Sequence, residues 1–446
     1  MSSPSLKQEF IESIKFAFPI VLTQFGFLGF SIIDLYMVSR IDLIAIGGLG
    51  SANSLFWPIF TALMGVIFAI DALAAQRYGA DDKHSLHKLL IQGLWLAIIL
   101  SITALVVFFS VYNYLDIIID NAKLLHYAKP YYFIVILSAP FLLAFTVLQR
   151  YWQARGVSKA ILFIVVLANI LNFCANEILI FGRFGLPQMG ITGAAISTTV
   201  SRFFMLAAAM WLTYKNFDRD KPLEIGIDTK ILKQMFVLGI PIGLMLLFEV
   251  SVFAIATQFT TRISAQATSV HHIGIVLISI FYTIPMGISS AAAYRVGYFV
   301  GKNELSYAKK IGYIAILSCA GIMAIISISL YTNATFILGL FTSDPQIIKM
   351  GIPILWWITI ALTFDGVQCT VAGCLRGGSR TQISSFTTFI CHYAVGLPLA
   401  YYLCFHYAKN LEGLWMGLAS GLIAIAIVLF SYWLFLSADK LKKCEE

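Results

Sequence analysis

One stretch of sequence decides the fold class of this chain: FAFPIVLTQFGFLGFSIIDLYMV, residues 16–38. It is longer than the roughly 20 apolar residues that a helix needs to cross a bilayer. It nevertheless carries a carboxylate at Asp34 and a helix-kinking proline, Pro19. A charged group in hydrocarbon is costly, so Asp34 is a candidate functional residue. The alternative is a buried acid that is protonated or neutralised by a neighbour.

The composition indicates a polytopic membrane protein. Hydrophobic residues make up 59% of the chain and charged residues 12%, whereas soluble proteins carry about 25% charged residues. The net charge of +8 does not indicate nucleic-acid binding, because the basic residues lie between apolar segments. The first fifteen residues mix acids with bases and show no cleavage site, so we expect no removable signal peptide. The seven cysteines lack metal or disulfide spacing, and we expect no cofactor.

Apolar segments of membrane-spanning length predict an all-α fold with twelve transmembrane helices. The bundles of six helices are expected at residues 1–214 and 234–436, with a linker at 215–233 and a cytoplasmic tail at 437–446. The predicted spans are 16–38, 50–75, 89–111, 131–149, 160–181, 191–213, 234–259, 272–298, 311–331, 350–375, 382–405 and 412–436.

Basic residues predict the orientation of the spans. Of the 30 Lys and Arg residues, 22 fall on the side that holds both termini and 7 on the other side, and Arg202 lies inside a span. Because cytoplasmic loops are enriched in Lys and Arg, both termini are predicted to be cytoplasmic. The expected location is the plasma (inner) membrane, which the chain crosses many times.

The two halves of the chain repeat. Because each half has six spans, both enter the membrane from the same side, and the bundles are expected to be related by a parallel pseudo-two-fold axis. Two such bundles can open a central cavity alternately to either side, which favours a transporter over a receptor or an enzyme. The matching landmarks, which recur at a nearly constant spacing, are Pro19 and Pro241, Gly79 and Gly301, 155–159 and 376–380, and Gly190 and Gly413.

Polar residues in the first half are predicted to meet at one depth. Asn172 and Asn176 are four residues apart and share a helix face. With Asp34 and Thr198 they fall in the outer half of the membrane. A carboxylate, two amides and a hydroxyl can bind a hard cation such as Na⁺, or can form a hydrogen-bonded cradle for an acid that binds H⁺. The alternative is that Asn and Thr only hold helices together.

The second half carries acids of its own. Glu249 and Asp365 lie near the middle of their spans, and Gln368 follows Asp365 by one turn. Neither acid is at the repeat position of Asp34, which is Ala256. Two carboxylates at this depth suit the binding of a cationic substrate or a proton relay. The alternative is a pair of neutral, hydrogen-bonded acids.

Three further residues are candidates for the transport path, and the role of a fourth, Arg202, is left open. Asp71 could line a substrate cavity or pair with Arg77. Arg202, near mid-membrane, could pair with Asp34 or Asp71 or face the cavity, and a structural role is favoured. Aromatic residues such as Tyr36 and Tyr282 could hold a flat cation by cation–π contact.

Several motifs together resemble the MATE (multidrug and toxic compound extrusion) family, and the resemblance covers essentially the whole chain. The motifs are Gln76-Arg-Tyr-Gly-Ala80, Asn172-x-x-x-Asn176 followed by Gly182, Arg295-Val-Gly297 with Gly301, and Asp365-Gly-Val-Gln368 followed by Cys374-Leu-Arg-Gly377.

The resemblance implies roles for individual residues. Asp34, Glu249 and Asp365 match the three acids to which cation coupling is ascribed in the NorM-type branch. The set Asp34, Asn172, Asn176 and Thr198 falls where the family's N-lobe cation site is found. Asp71 matches an acid of eukaryotic-type members, so the chain mixes features of two branches.

The sequence therefore predicts a cation-coupled efflux antiporter rather than an enzyme. H⁺ or Na⁺ would enter and a small organic cation would leave, with Pro19 as a hinge. The expected partners are that substrate and the bilayer, with no nucleic acid, and the chain is expected to be a monomer. The first alternative is a flippase for lipid-linked saccharides, which would need a cavity rich in Arg and Lys. The second alternative is a membrane-embedded enzyme or a channel.

Overall fold

The computed structural model describes residues 6–216, 225–407 and 410–441, and all regular structure in these ranges is helical. The α-helices are α1 Leu6–Ser39, α2 Leu43–Ile67, α3 Ala69–Gly79, α4 Lys83–Asn113, α5 Leu115–Ile118, α6 Ala122–Leu137, α7 Ala139–Ala154, α8 Ser158–Phe181, α9 Ile191–Asn216, α10 Thr229–Thr261, α11 Ala265–Gly301, α12 Leu305–Thr332, α13 Ala334–Gly339, α14 Pro345–Gly377, α15 Thr381–Ile390, α16 Leu397–Tyr402 and α17 Leu411–Phe435.

The number of spans in the described ranges agrees with the prediction. Eleven helical segments are long and apolar enough to cross a membrane, and the pair α6 and α7, counted as one bent span, makes twelve. The chain is thus a multi-pass, all-α membrane protein. The helices extend beyond the predicted spans, since α1 begins at Leu6 and α11 covers Ala265–Gly301.

Two of the predicted spans are broken within the membrane. α6 and α7 meet at Ser138 with a bend of 43°. Pro140 in the first turn of α7 lacks an amide hydrogen, which leaves the carbonyl of Ile136 without its helical donor. The second break separates α2 from α3 at Phe68, where the amide of Phe68 bonds to the carbonyl of Gly65 in a tighter turn.

The eleventh span changes its helical pitch. α15 is followed by a π-helical segment, Cys391–Gly396, then by α16 and a second π-helical segment, Leu403–Tyr407. The amide of Leu397 bonds to the carbonyl of His392, five residues back. Pro398 cannot donate to the carbonyl four residues before it, and the widened turn accommodates this loss.

The repeat is visible in the backbone of the turns. Asp81 and Asn303, which follow the landmark pair Gly79 and Gly301, both have positive φ angles, 58° and 66°. Gly156 and Ser379, in the second pair of matching turns, have φ angles of 79° and 59°. The turns after the second and eighth spans therefore match as the sequence repeat predicts. In the turns after the fourth and tenth spans the backbone aligns Gly156 with Ser379, two residues beyond the Gly377 that the sequence motifs would place there.

The chain divides into two compact units, which we call unit A and unit B. Unit A is Leu22–Gly239, and unit B comprises Met1–Val21 together with Ile240–Glu446. In unit A, Phe56 stacks on Phe60 and Phe108, with ring centroids 5.2 and 5.0 Å apart. In unit B, Trp433 and its neighbours form a core between α11, α12, α14 and α17. The lobe boundaries stay a prediction; residues 217–224 of the linker and 442–446 of the tail lie outside the described ranges.

Candidate functional site

Asp34 lies in α1 within a closed network of polar side chains, and only 4% of the residue is exposed. Its Oδ1 accepts a hydrogen bond of 2.8 Å from Asn176 Nδ2, and its Oδ2 accepts one of 2.6 Å from the Thr198 hydroxyl. Asn172 Nδ2 donates to the Thr198 oxygen over 3.3 Å. The structure thus brings together the four residues that the sequence predicts to meet.

Helix geometry explains why these residues converge. Asn172 and Asn176 lie one turn apart on α8 and are joined by a 3.3 Å hydrogen bond. α8 ends at Phe181, and the next residue, Gly182, has a φ of 71°, a left-handed conformation that favours glycine. The chain then returns as α9. The close packing of α8 against α9 brings Thr198 to the level of the two amides.

A small cavity of about 20 Å³ opens beside Asp34, enough for one water-sized body. Thr198 and Arg202 line this cavity with Asp34, and so do Asn53 and Tyr131. Asn53 and Tyr131 are not among the residues predicted from the sequence for this site. Asn53 carries a usable signal, because it is an amide within an apolar span, whereas Tyr131 resembles the many interfacial aromatic residues.

Arg202 does not pair with an acid in the described part of the chain. Its Nη1 donates to the Ser138 hydroxyl over 2.6 Å, at the bend between α6 and α7. Its guanidinium also lies 5.3 Å from the ring centroid of Phe56 and 5.9 Å from that of Trp57. Of the two possibilities that the sequence leaves open, an ion pair and a position facing the cavity, the geometry agrees with the second.

A second acidic cluster, formed by Glu249 of α10 and Asp365 of α14, lies within unit B. Gln368 Nε2 donates to Glu249 Oε1 and to Asp365 Oδ1, each over 2.8 Å. The Tyr282 hydroxyl donates to Glu249 Oε2 over 3.3 Å. Four residues predicted for coupling and substrate binding therefore form one network.

One amide bridges the two carboxylates of unit B. Two ionised carboxylates this close repel each other, so the pair favours the binding of a proton or another cation. The amide oxygen of Gln368 is buried and has no hydrogen-bond partner among the described residues. The cluster can therefore offer carboxylate and amide oxygens to a cation.

The remaining predicted residues lie elsewhere. Asp71 is fully buried and pairs with Arg150, itself 2% exposed, over 3.3 Å. The guanidinium of Arg150 lies 3.6 Å from the ring centroid of Phe68. Tyr36 is 59% exposed, and Pro19 lies inside the continuous helix α1. The proposed roles of Asp71, Tyr36 and Pro19 stay predictions.

Comparison with protein families gives a match in both halves of the chain. A family model described as MatE matches residues 19–178 and again residues 241–402. The two matched segments begin at Pro19 and Pro241, which are the first pair of landmarks in the sequence repeat.

Curated relatives match over nearly the whole chain. A probable multidrug resistance protein NorM of Mesorhizobium japonicum is 30% identical over 445 residues, covering 96% of this chain and 94% of the relative. A protein of the same description from Bacillus subtilis is 27% identical over 429 residues, covering 92% of each.

Solved structures show the same fold. A crystal structure of the eukaryotic MATE transporter AtDTX14 superimposes with a TM-score of 0.87 at 20% identity and covers 98% of both chains. A point mutant of the Vibrio cholerae MATE transporter VcmN gives a TM-score of 0.86 at 16% identity, covering 96% of this chain and 97% of that one.

Proposed function

Because this chain belongs to the MatE family, we propose that it is a secondary active transporter for multidrug efflux. It exports cationic and amphipathic organic compounds in exchange for H⁺ or Na⁺ that flows inward. The names of its curated relatives, probable multidrug resistance proteins, support this function. They do not favour the flippase alternative.

The observation that carries this proposal is the Asp34 network. A carboxylate inside a membrane-spanning helix is costly, and this one is retained among an amide and a hydroxyl that hold it in place. Asn176 Oδ1 is buried and has no partner among the described residues. A cation bound at Asp34 would gain this oxygen as a ligand, and oxygen ligands of this kind suit Na⁺. A proton on Asp34 would use the same hydrogen bonds.

Exchange follows if the coupling ion, H⁺ or Na⁺, and the organic cation cannot occupy the same carboxylates at the same time. In the absence of the coupling ion, the carboxylates attract an organic cation, and in unit B the Glu249 and Asp365 cluster offers such a site. Binding of H⁺ or Na⁺ neutralises the carboxylate and weakens its hold on the substrate. By linkage, each cation lowers the affinity for the other to the same extent. This competition lets an ion gradient drive efflux by alternating access.

The cellular setting follows from the same proposal. The chain would lie in the plasma (inner) membrane with both termini in the cytoplasm, as the distribution of basic residues indicates. One chain contains both acidic clusters, so we propose that a monomer is the transporting unit. H⁺ or Na⁺ is then the only inorganic partner, and catalysis plays no part.

Replacing Asp34 tests this function. We expect Asp34→Asn to fold and to abolish ethidium efflux from everted vesicles under an imposed gradient, because Asn binds neither H⁺ nor Na⁺ as a carboxylate does. A pH gradient alone and then a Na⁺ gradient alone identify the coupling ion in the wild-type protein. Ser197→Ala is a matched control, since Ser197 is buried next to Thr198 in the chain and its hydroxyl donates to the carbonyl of Gly193 in its own helix. Near wild-type efflux by Asp34→Asn would contradict the proposal.

A further inference from the structure

The eleventh span carries a buried polar face whose residues belong to neither acidic cluster. It consists of Thr381, Ser384, Thr388 and His392, which we call the polar track, and each residue is at most 3% exposed. Their spacing of three, four and four residues places them on one side of the helix. The three hydroxyls and both ring nitrogens of His392 have no hydrogen-bond partner among the described residues.

Among the described residues, few buried hydroxyls lack a hydrogen-bond partner. Many others bond to the carbonyl one turn earlier in their own helix, as Thr370 does with Gly366 and Ser420 with Met416. Buried polar groups without a protein partner are commonly satisfied by ordered water. Four such residues in one row, within a membrane span, indicate a row of water sites.

The repeat shows that packing alone does not require these polar residues. With the spacing that relates Gly156 to Ser379, Ser384 corresponds to Ile161 and Thr388 to Val165 in α8. Both of these apolar residues are fully buried in unit A. The same position in the fold is therefore filled by hydrocarbon in the first half and by hydroxyls in the second.

The backbone around His392 leaves room for the imidazole. His392 lies in the π-helical segment Cys391–Gly396, and π-helical turns inside α-helices often mark functional sites. A Cβ atom at Gly421 of α17 would lie 3.4 Å from His392 Nδ1 and 3.1 Å from the Cα of Gly396. Glycine at 421 keeps that space open beside the ring.

Few charged side chains lie on the helices packed against this segment in the described ranges. α10, whose Phe248 ring contacts that of Tyr393, carries Glu249, which is bonded to Gln368 and Tyr282. α15 has no titratable side chain, and α16 has only Tyr401 and Tyr402. α17 has Glu412 and Tyr432. Glu412 lies nine residues before Gly421 and accepts a hydrogen bond from the indole nitrogen of Trp357. The neighbours in the π-helical segment are Cys391 and Tyr393, and the Tyr393 hydroxyl meets Ser251 at 2.5 Å.

We propose that the polar track is a hydrated path by which protons reach His392 in the middle of unit B. His392 is eleven residues beyond Thr381, a rise of about 16 Å, or half of a hydrocarbon core about 30 Å thick. A hydronium ion in the track gives its proton to one ring nitrogen and leaves a water molecule. The imidazolium then releases the proton to water. The path itself does not depend on efflux; only its use in coupling rests on the proposed function.

Thiol labelling in lipid nanodiscs tests whether water reaches the side chains of the polar track. A membrane-impermeant, charged methanethiosulfonate reacts with an ionised thiol, which forms in water and not in hydrocarbon. We expect Ser384→Cys and Thr388→Cys to react about tenfold or more faster than Phe386→Cys, because burial among apolar groups suppresses thiolate formation. Phe386 is the matched control on the same helix, and it is 67% exposed on the outside of the protein. The wild-type protein gives the background from native cysteines.

A second pair of variants tests whether the track leads to His392. We expect His392→Cys to be labelled, and this labelling to be lost when Ser384→Ile and Thr388→Val are added, since these residues occupy the matching positions of α8. Equal labelling in both backgrounds, or rates at 384 and 388 no higher than at 386, would overturn the proposal. Labelling needs no transport. A failure of ethidium efflux would thus count against the proposed function and leave this result intact.

Discussion

At the scale of single residues, the guanidinium of Arg202 carries a buried positive charge that has no acidic partner in the described part of the chain. Its guanidinium lines the same cavity as the Asp34 carboxylate, and it is held there by Ser138 and two aromatic rings. A fixed positive charge in that cavity repels any cation that binds to Asp34. At an effective dielectric constant near 20, like unit charges about 4 Å apart repel by about 4 kcal/mol, and the repulsion falls in inverse proportion to their distance.

Removing this charge should tighten ion binding. We expect Arg202→Gln to lower the concentration of the coupling ion needed for half-maximal efflux by about tenfold or more. For H⁺, this means that the pH of half-maximal efflux rises. Ser138→Ala is the control, since it removes the hydrogen bond to Arg202 and keeps the charge. An unchanged ion dependence in Arg202→Gln would show that the arginine acts only in packing.

At the scale of helices, the buried ion pair between Asp71 of α3 and Arg150 of α7 lies next to the break at Phe68. The pair joins two helices of unit A by their charged groups. Burying both charges is costly, and removing one partner takes this contact away from the charge that stays buried.

Breaking this pair should destabilise the protein more than removing it whole. We expect Asp71→Asn or Arg150→Met alone to lower the free energy of unfolding by about 3–5 kcal/mol. The double variant Asp71→Leu with Arg150→Met should recover much of that loss. Thermal unfolding of the purified protein in detergent measures the difference. Single variants that unfold at the wild-type temperature would show that the pair is not a stabilising contact.

At the scale of the whole chain, the end of the inter-lobe linker is tied to α4. Gln92 donates to the carbonyl of Gly226 and accepts from the amide of Asp228, over 2.7 and 2.9 Å. Lys88 pairs with Asp228 over 2.9 Å. The hydrogen bond from Lys88 holds the pKa of Asp228 below its ordinary value. This contact anchors the chain where one half passes into the next.

The stabilisation from Asp228 should depend on pH. Because its pKa is lowered in the folded state, the carboxylate stabilises the fold above the unfolded pKa of about 3.9. This contribution is lost as the pH falls through the lower, folded pKa. We expect Asp228→Asn to reduce stability by up to about 1 kcal/mol near neutral pH, as for other partly exposed ion pairs. Melting temperatures of both proteins should converge in strong acid, and a difference that persists there would contradict this explanation.

Much of the fold, and most of the residues in the two acidic clusters, can be predicted from the sequence. The twelve spans follow from apolar length, and the repeat follows from landmarks such as Pro19 and Pro241. The meeting of Asp34 with Asn172, Asn176 and Thr198 could be predicted as well. The rise per residue sets the depth of each, and the spacing of four sets a common helix face.

Only the tertiary structure decided which side chains face one another. Arg202 bonds to Ser138 rather than to an acid, Asp71 pairs with Arg150, and Gln368 joins Glu249 to Asp365. The polar track is likewise defined by tertiary structure, because its hydroxyls have no hydrogen-bond partner among the described residues. The physical reason is that depth and face are properties of one helix and are encoded locally. Contacts between helices depend on the rotation of each about its axis, which the packing of the whole unit sets.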